Sequence, residues 1–106
     1  MQALLSRARS RNVGVVIPAA VVAQVIRPGG RQADLRRFLS DGYLRFTALD
    51  YPTAMEIGSL LGASGTADVV DACVVACSHR FAHCPVVTSD PQDLRKLDPD
   101  LPLITV

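Results

Sequence analysis

The chain has 106 residues, 49% of them apolar and 20% charged, which suits one domain with one modest core and excludes a disordered segment. No apolar run nears the roughly 18 residues of a membrane span. Arginines from Arg7 onward interrupt any signal-peptide core, so the sequence predicts a cytoplasmic protein with no membrane partner. The net charge of +1 hides an asymmetry. Residues 1–50 carry eight arginines against three aspartates, a balance of +5, and residues 51–106 carry three basic residues against Glu56 and six aspartates, a balance of −4. A basic half and an acidic half suit RNA held by its phosphates near a cation; the plain alternative is a solvated surface with no partner.

In chain order, residues 2–11 predict a short basic helix with Leu4, Leu5 and Ala8 on one face. Val13 to Ile17 is a continuous β-branched run, as expected of a strand buried on both faces. Pro18 suits the first position of a helix to about Ile26, which Pro28-Gly29-Gly30 breaks. Gln32 to Leu39 predicts a helix with Leu35, Phe38 and Leu39 inward, and Asp41-Gly42 turns the chain into a strand from Tyr43 to Leu49. Asp50 is a good N-cap for a helix from about Pro52 to Leu61, and Gly62 to Gly65 reads as a flexible break. Thr66 is placed to cap the most apolar helix, about Ala67 to Phe81. A strand at Val86 to Thr88, a helix at Pro91 to Leu97 and a strand at Leu103 to Val106 complete the chain. Strands alternating with helices predict a parallel α/β sheet in a single domain, residues 1–106.

Two aspartate pairs carry the chemistry. Asp68 and Asp71 open one helix, and Asp90 and Asp93 follow the short strand about twenty residues later. In a parallel α/β fold, strand ends and the following helix starts face one pole of the sheet. Carboxylates converging there repel unless a divalent cation lies between them. Asp71 is followed by Ala72-Cys73-Val74-Val75-Ala76, so its carboxylate is expected to be partly buried and to need a counter-charge. For each acid there is a simpler role. Asp68, Asp71 and Asp93 complement a helix dipole, and Asp90 before Pro91 is a natural N-cap. Thr88 and Ser89 are placed to hydrogen-bond an acidic side chain or a water. Cys73 and Cys77 lie one turn apart, as do His79 and His83, but at about 100° per residue the two pairs fall on different faces. Core packing of the cysteines is the better reading than a zinc site.

The stretch Thr66-Ala67-Asp68-Val69-Val70-Asp71-Ala72, followed by Val86-Val87-Thr88-Ser89-Asp90-Pro91-Gln92-Asp93-Leu94, resembles the C-terminal half of a PIN-domain ribonuclease of the VapC toxin type. Val15 to Val25 is similar to that family's second strand and following helix. The resemblance covers nearly the whole chain. It implies a three-layer parallel sheet with helices on both faces. It also implies a metal-dependent endoribonuclease, the toxin half of a toxin–antitoxin pair, with Mg²⁺ or Mn²⁺ as cofactor and RNA and an antitoxin protein as partners. Carried over residue by residue, Asp71 and Asp90 are the catalytic metal ligands, with Asp68 and Asp93 assisting. Arg7, Arg9, Arg11, Arg27 and Arg31 are candidate RNA contacts.

Two departures qualify that expectation. The family's first, central strand and its aspartate are missing, and Gln24 stands where the family has glutamate. An amide binds Mg²⁺ less well than a carboxylate, which makes a catalytically inactive remnant, binding an antitoxin or RNA, the alternative. If the alignment holds, Gln24 faces the pocket of Asp71. The strands at 13–17 and 86–88 then pair directly, accept a strand from another copy in a homo-oligomer, or await a segment encoded upstream. A flavodoxin-like receiver or small-ligand module is the third reading; the lack of a glycine-rich phosphate loop speaks against it.

Overall fold

The short β-branched runs and capped helices of this sequence form ten elements in the computed structural model, which describes residues 2–28 and 32–106. The fold is α/β, with six helices and four strands among the described residues. It divides into two units, residues 1–47 and 48–106. The four strands form two separate two-stranded parallel sheets, one in each unit.

The first unit runs α1 (Gln2–Ser10), β1 (Val15–Pro18), α2 (Ala19–Val25), α3 (Ala33–Leu39) and β2 (Leu44–Thr47). Strand β1 pairs with β2 in a register from Val15 opposite Leu44 to Pro18 opposite Thr47. The core is Leu5, Phe38 and Leu44, with Val15, Ile17, Leu39 and Tyr43 packed around it. Burying each large side chain contributes about 1.5–3 kcal/mol. The Tyr43 hydroxyl donates to the carbonyls of Ala8 and Val13, fixing the end of α1 beside the start of β1. The expectation that residues 13–17 are buried on both faces is not met. Every residue of β1 is half-buried and Val13 is 54% exposed, because the sheet here has only two strands.

The second unit runs α4 (Tyr51–Ser64), α5 (Val69–Arg80), β3 (Val86–Thr88), α6 (Pro91–Leu97) and β4 (Leu103–Thr105). Asp50 caps α4 as expected, accepting from the Thr53 N–H at 3.0 Å. The predicted break at residues 62–65 is instead the last turn of α4. The helix runs to Ser64 and ends at Gly65, whose φ of 70° is the left-handed geometry that favours glycine. Strands β3 and β4 pair from Val86 opposite Leu103 to Thr88 opposite Thr105, with α6 as the crossover. Val75, Leu94 and Leu101 form the core, lined by Leu60, Val74, Val86, Leu97 and Leu103. Cys73 is buried in α5, as core packing predicts, and burial pushes its thiol pKa up. Among the described residues no single helix is long and apolar enough to cross a membrane.

Candidate functional site

The first turn of α5 and the first turns of α6 build an acidic pole within the second unit. Asp68, not Thr66, caps α5, and its Oδ1 accepts from the Asp71 N–H at 2.9 Å. Thr66 is engaged elsewhere, its hydroxyl 2.8 Å from that of Ser64. The cap turns Asp71 inward on the third helical position, where it is half-buried. Asp93 lies in the first turn of α6, exposed, and pairs with Lys96 at 3.3 Å one turn on. A cavity of about 170 Å³ lies between these groups, lined by Thr66, Ala67, Asp68 and Asp71 on one side and by Asp93, Lys96 and Leu97 on the other.

Electrostatics bind Asp90 to the same group. The Asp71 pKa is raised, first by burial, then by the negative charges of Asp68, Asp93 and Asp90, and by a hydrogen bond that a protonated Asp71 makes to Asp68. Three carboxylates therefore act on Asp71. Asp90 stands just ahead of α6, outside the cavity lining, and does not fill its expected capping role. Its backbone lies at φ −132° and ψ 81°, and no side-chain cap forms. Thr88 does not reach an acidic side chain either; its hydroxyl accepts the Asp90 N–H at 3.0 Å. The Asp90 carboxylate is thus left uncommitted by the helix it precedes.

Lys96 is the residue that sequence reasoning missed. It lines the same cavity as Asp71 but pairs with Asp93, and its three-residue spacing from Asp93 was the available signal. It is an exposed cation on a flexible stem, so it offsets the cluster only in part. Carboxylates around one cavity with an incomplete counter-charge suit a hard divalent cation, although among the described residues no three of these aspartates bring their oxygens within 4.8 Å of one another.

The candidate residues of the first unit are placed less uniformly. Gln24 is exposed on α2. Arg9 pairs with Asp41 and lies 5.3 Å over the Tyr43 ring, and Arg27 donates to the carbonyls of Ala23 and Ile26 at the end of α2. Both guanidiniums are therefore engaged in holding the first unit together. Arg7 and Arg11 are exposed, and Arg31 lies outside the described residues.

His79 and His83 were set aside with the cysteines as an improbable zinc site, and the structure gives them a different companion. His79 Nε2 lies 2.7 Å from Asp98 Oδ2, and its ring is 4.6 Å from that of His83. No family model, no curated protein and no solved structure matches the chain, so the donors themselves are the guide to its chemistry.

Proposed function

We propose that the chain is a PIN-like, divalent-cation-dependent endoribonuclease, resembling the toxin half of a VapBC toxin–antitoxin pair, and that it works in the cytoplasm. The observation that carries this reading is the acidic pole: Asp71 made hard to ionise by burial and by the charges of Asp68, Asp93 and Asp90, beside a cavity open to solvent. The donor set is all oxygen and fits Mg²⁺ or Mn²⁺ better than a thiophilic metal. Asp71 and Asp90 would hold the cation, with Asp68 and Asp93 on its flanks. Bound there, the cation supplies charge stabilisation to a phosphodiester under attack.

The chain's own residues divide the remaining work. The Asp68 cap fixes the direction of Asp71 by holding its backbone N–H. The Asp90 carboxylate, free of its helix, can turn to a ligand without unwinding α6. Lys96 keeps the pole from expanding when no cation is present and is near enough to meet a phosphate. Exposed Arg7 and Arg11 supply sequence-independent attraction for RNA. Val87 and Ile104, paired across β3 and β4 and both exposed, offer an antitoxin or a second copy a surface to cover.

The test is cleavage of a single-stranded RNA in Mg²⁺ or Mn²⁺. Cleavage should stop on chelation and fall about a hundredfold or more in Asp71→Asn and Asp90→Asn. Cleavage that survives chelation, or is unchanged from the parent in both variants, contradicts the assignment. A second reading is favoured by Gln24, whose neutral amide replaces the acid of the resemblance: a catalytically silent module that binds antitoxin or RNA. Cation binding lost in Asp71→Asn, without RNA cleavage by the parent chain, identifies that case.

A further inference from the structure

Helix α5 ends in a turn that its residues do not favour. Ala82 and His83 both adopt the left-handed region, with φ of 58° and 56°, although each carries a β-carbon. The turn is held by Ser78, which is 1% exposed. Its hydroxyl donates to the Cys84 carbonyl at 2.7 Å, and the Cys84 N–H donates back to the Ser78 carbonyl at 3.3 Å and to that of Phe81 at 3.2 Å. The turn folds His83 back over the last turn of α5, its ring tilted 51° against that of His79. Asp98, at the C-cap of α6, completes the group. Its Oδ2 meets His79 Nε2, and its Oδ1 accepts from the Asp100 N–H at 3.0 Å. One donor atom from each of His79, His83 and Asp98 lies within 4.8 Å of the other two.

We propose that His79, His83 and Asp98 bind a divalent transition-metal cation of the Zn²⁺ class, at a site separate from the acidic pole. Two imidazoles and one carboxylate make a borderline donor set, suited to zinc or its neighbours and poorly suited to Mg²⁺. Bonds of about 2.0–2.1 Å in a tetrahedron put ligand atoms about 3.3 Å apart, so side-chain rotations suffice to close the group. His83 is exposed and has room for that rotation. The Asp100 N–H orients the Asp98 carboxylate from behind, the outer hydrogen bond that ligating groups usually have. Arg80, next to His79, is turned away to Thr53 and Glu56, so no guanidinium competes. The carbonyl end of α5 also favours positive charge. A plain His79–Asp98 pair accounts for two of the three groups; it gives no role to the strained turn that brings in His83. The three ligands leave a fourth position for water.

The test is calorimetric titration of the whole chain with ZnCl₂, repeated with Co²⁺ while following its visible absorption. The parent chain should take up one Zn²⁺ and give the intense bands of tetrahedral Co²⁺. His83→Ala leaves the His79–Asp98 hydrogen bond in place and should weaken binding at least about tenfold, with the metal-free melting temperature unchanged. His79→Ala and Asp98→Asn should do the same to binding. Cys84→Ser should match the parent. No Zn²⁺ uptake by the parent, uptake unchanged in His83→Ala, or uptake lost in Cys84→Ser would each overturn the proposal.

Discussion

The two ends of α5, roughly 18 Å apart along its axis, put aspartates to opposite use. At the N-terminal end, Asp71 faces three other carboxylates, and its charged form is disfavoured. At the C-terminal end, Asp98 faces two imidazoles. The hydrogen bond with His79, then the Asp100 N–H and the charges of His79 and His83, hold its pKa below the ordinary carboxylate value of 3.8 against the effect of burial. The helix dipole favours acids at the first end and cations at the second. The acidic pole therefore gathers more negative charge than it can balance, whereas the other end is already paired. An unbalanced cluster gains from a cation, and a balanced one must give up a proton or a hydrogen bond to accept one.

Breaking the paired end should cost most. Asp98→Asn removes a charge-assisted hydrogen bond between partly buried groups, with side chains 16% and 27% exposed, and should destabilise the chain by about 1.5–3 kcal/mol in urea unfolding near neutral pH. The pH dependence sharpens the contrast. Because the folded Asp98 pKa is lowered, its contribution is fully present above 3.8 and is lost as pH falls through the folded value. The folded Asp71 pKa is raised, so its sign is reversed. The native state holds that proton more tightly, and stability falls as pH climbs from 3.8 through the folded value. Unfolding curves of Asp98→Asn should lose the first dependence, and those of Asp71→Asn the second. At neutral pH without cations, Asp71→Asn should gain about 0.5 kcal/mol by relieving like charge. Smallest is Lys96→Met, which removes the resident cation and should tighten Mn²⁺ binding about threefold at low salt, an effect fading as salt is added.

Much of this arrangement was legible in the sequence, and the exceptions have physical causes. Strand β3 and helix α6 begin and end where the β-branched run and Asp90-Pro91 place them. Strand-end and helix-start geometry gave the expectation that Asp68, Asp71, Asp90 and Asp93 meet; Asp68, Asp71 and Asp93 line one cavity, and Asp90 lies outside its lining while its charge still acts on Asp71. The start of α5 was misplaced because Thr66 and Asp68 are both good caps, and only the Ser64–Thr66 contact decides between them. Gly62 looked like a break, but a glycine inside a helix costs only about 1 kcal/mol against alanine, and the left-handed stop came at Gly65. The apolar run at residues 13–17 suggested burial on both faces, yet every residue of β1 is half-buried and Val13 is 54% exposed. Hydropathy reports what a strand can bury, not how many neighbours it has. The meeting of His79 with Asp98 was out of reach, since it depends on where α6 ends and on a left-handed turn that no local preference announces.

Backbone amide NMR during a Mn²⁺ titration tests the central claim most directly, because paramagnetic broadening locates the ion residue by residue. At the lowest Mn²⁺ additions, the amides of residues 68–72 and 90–94 should broaden first, and Asp71→Asn should abolish that selectivity. Broadening that begins at residues 79–84 and 98–100, or spreads evenly over the exposed acids, would contradict the assignment of the acidic pole as the hard-cation site.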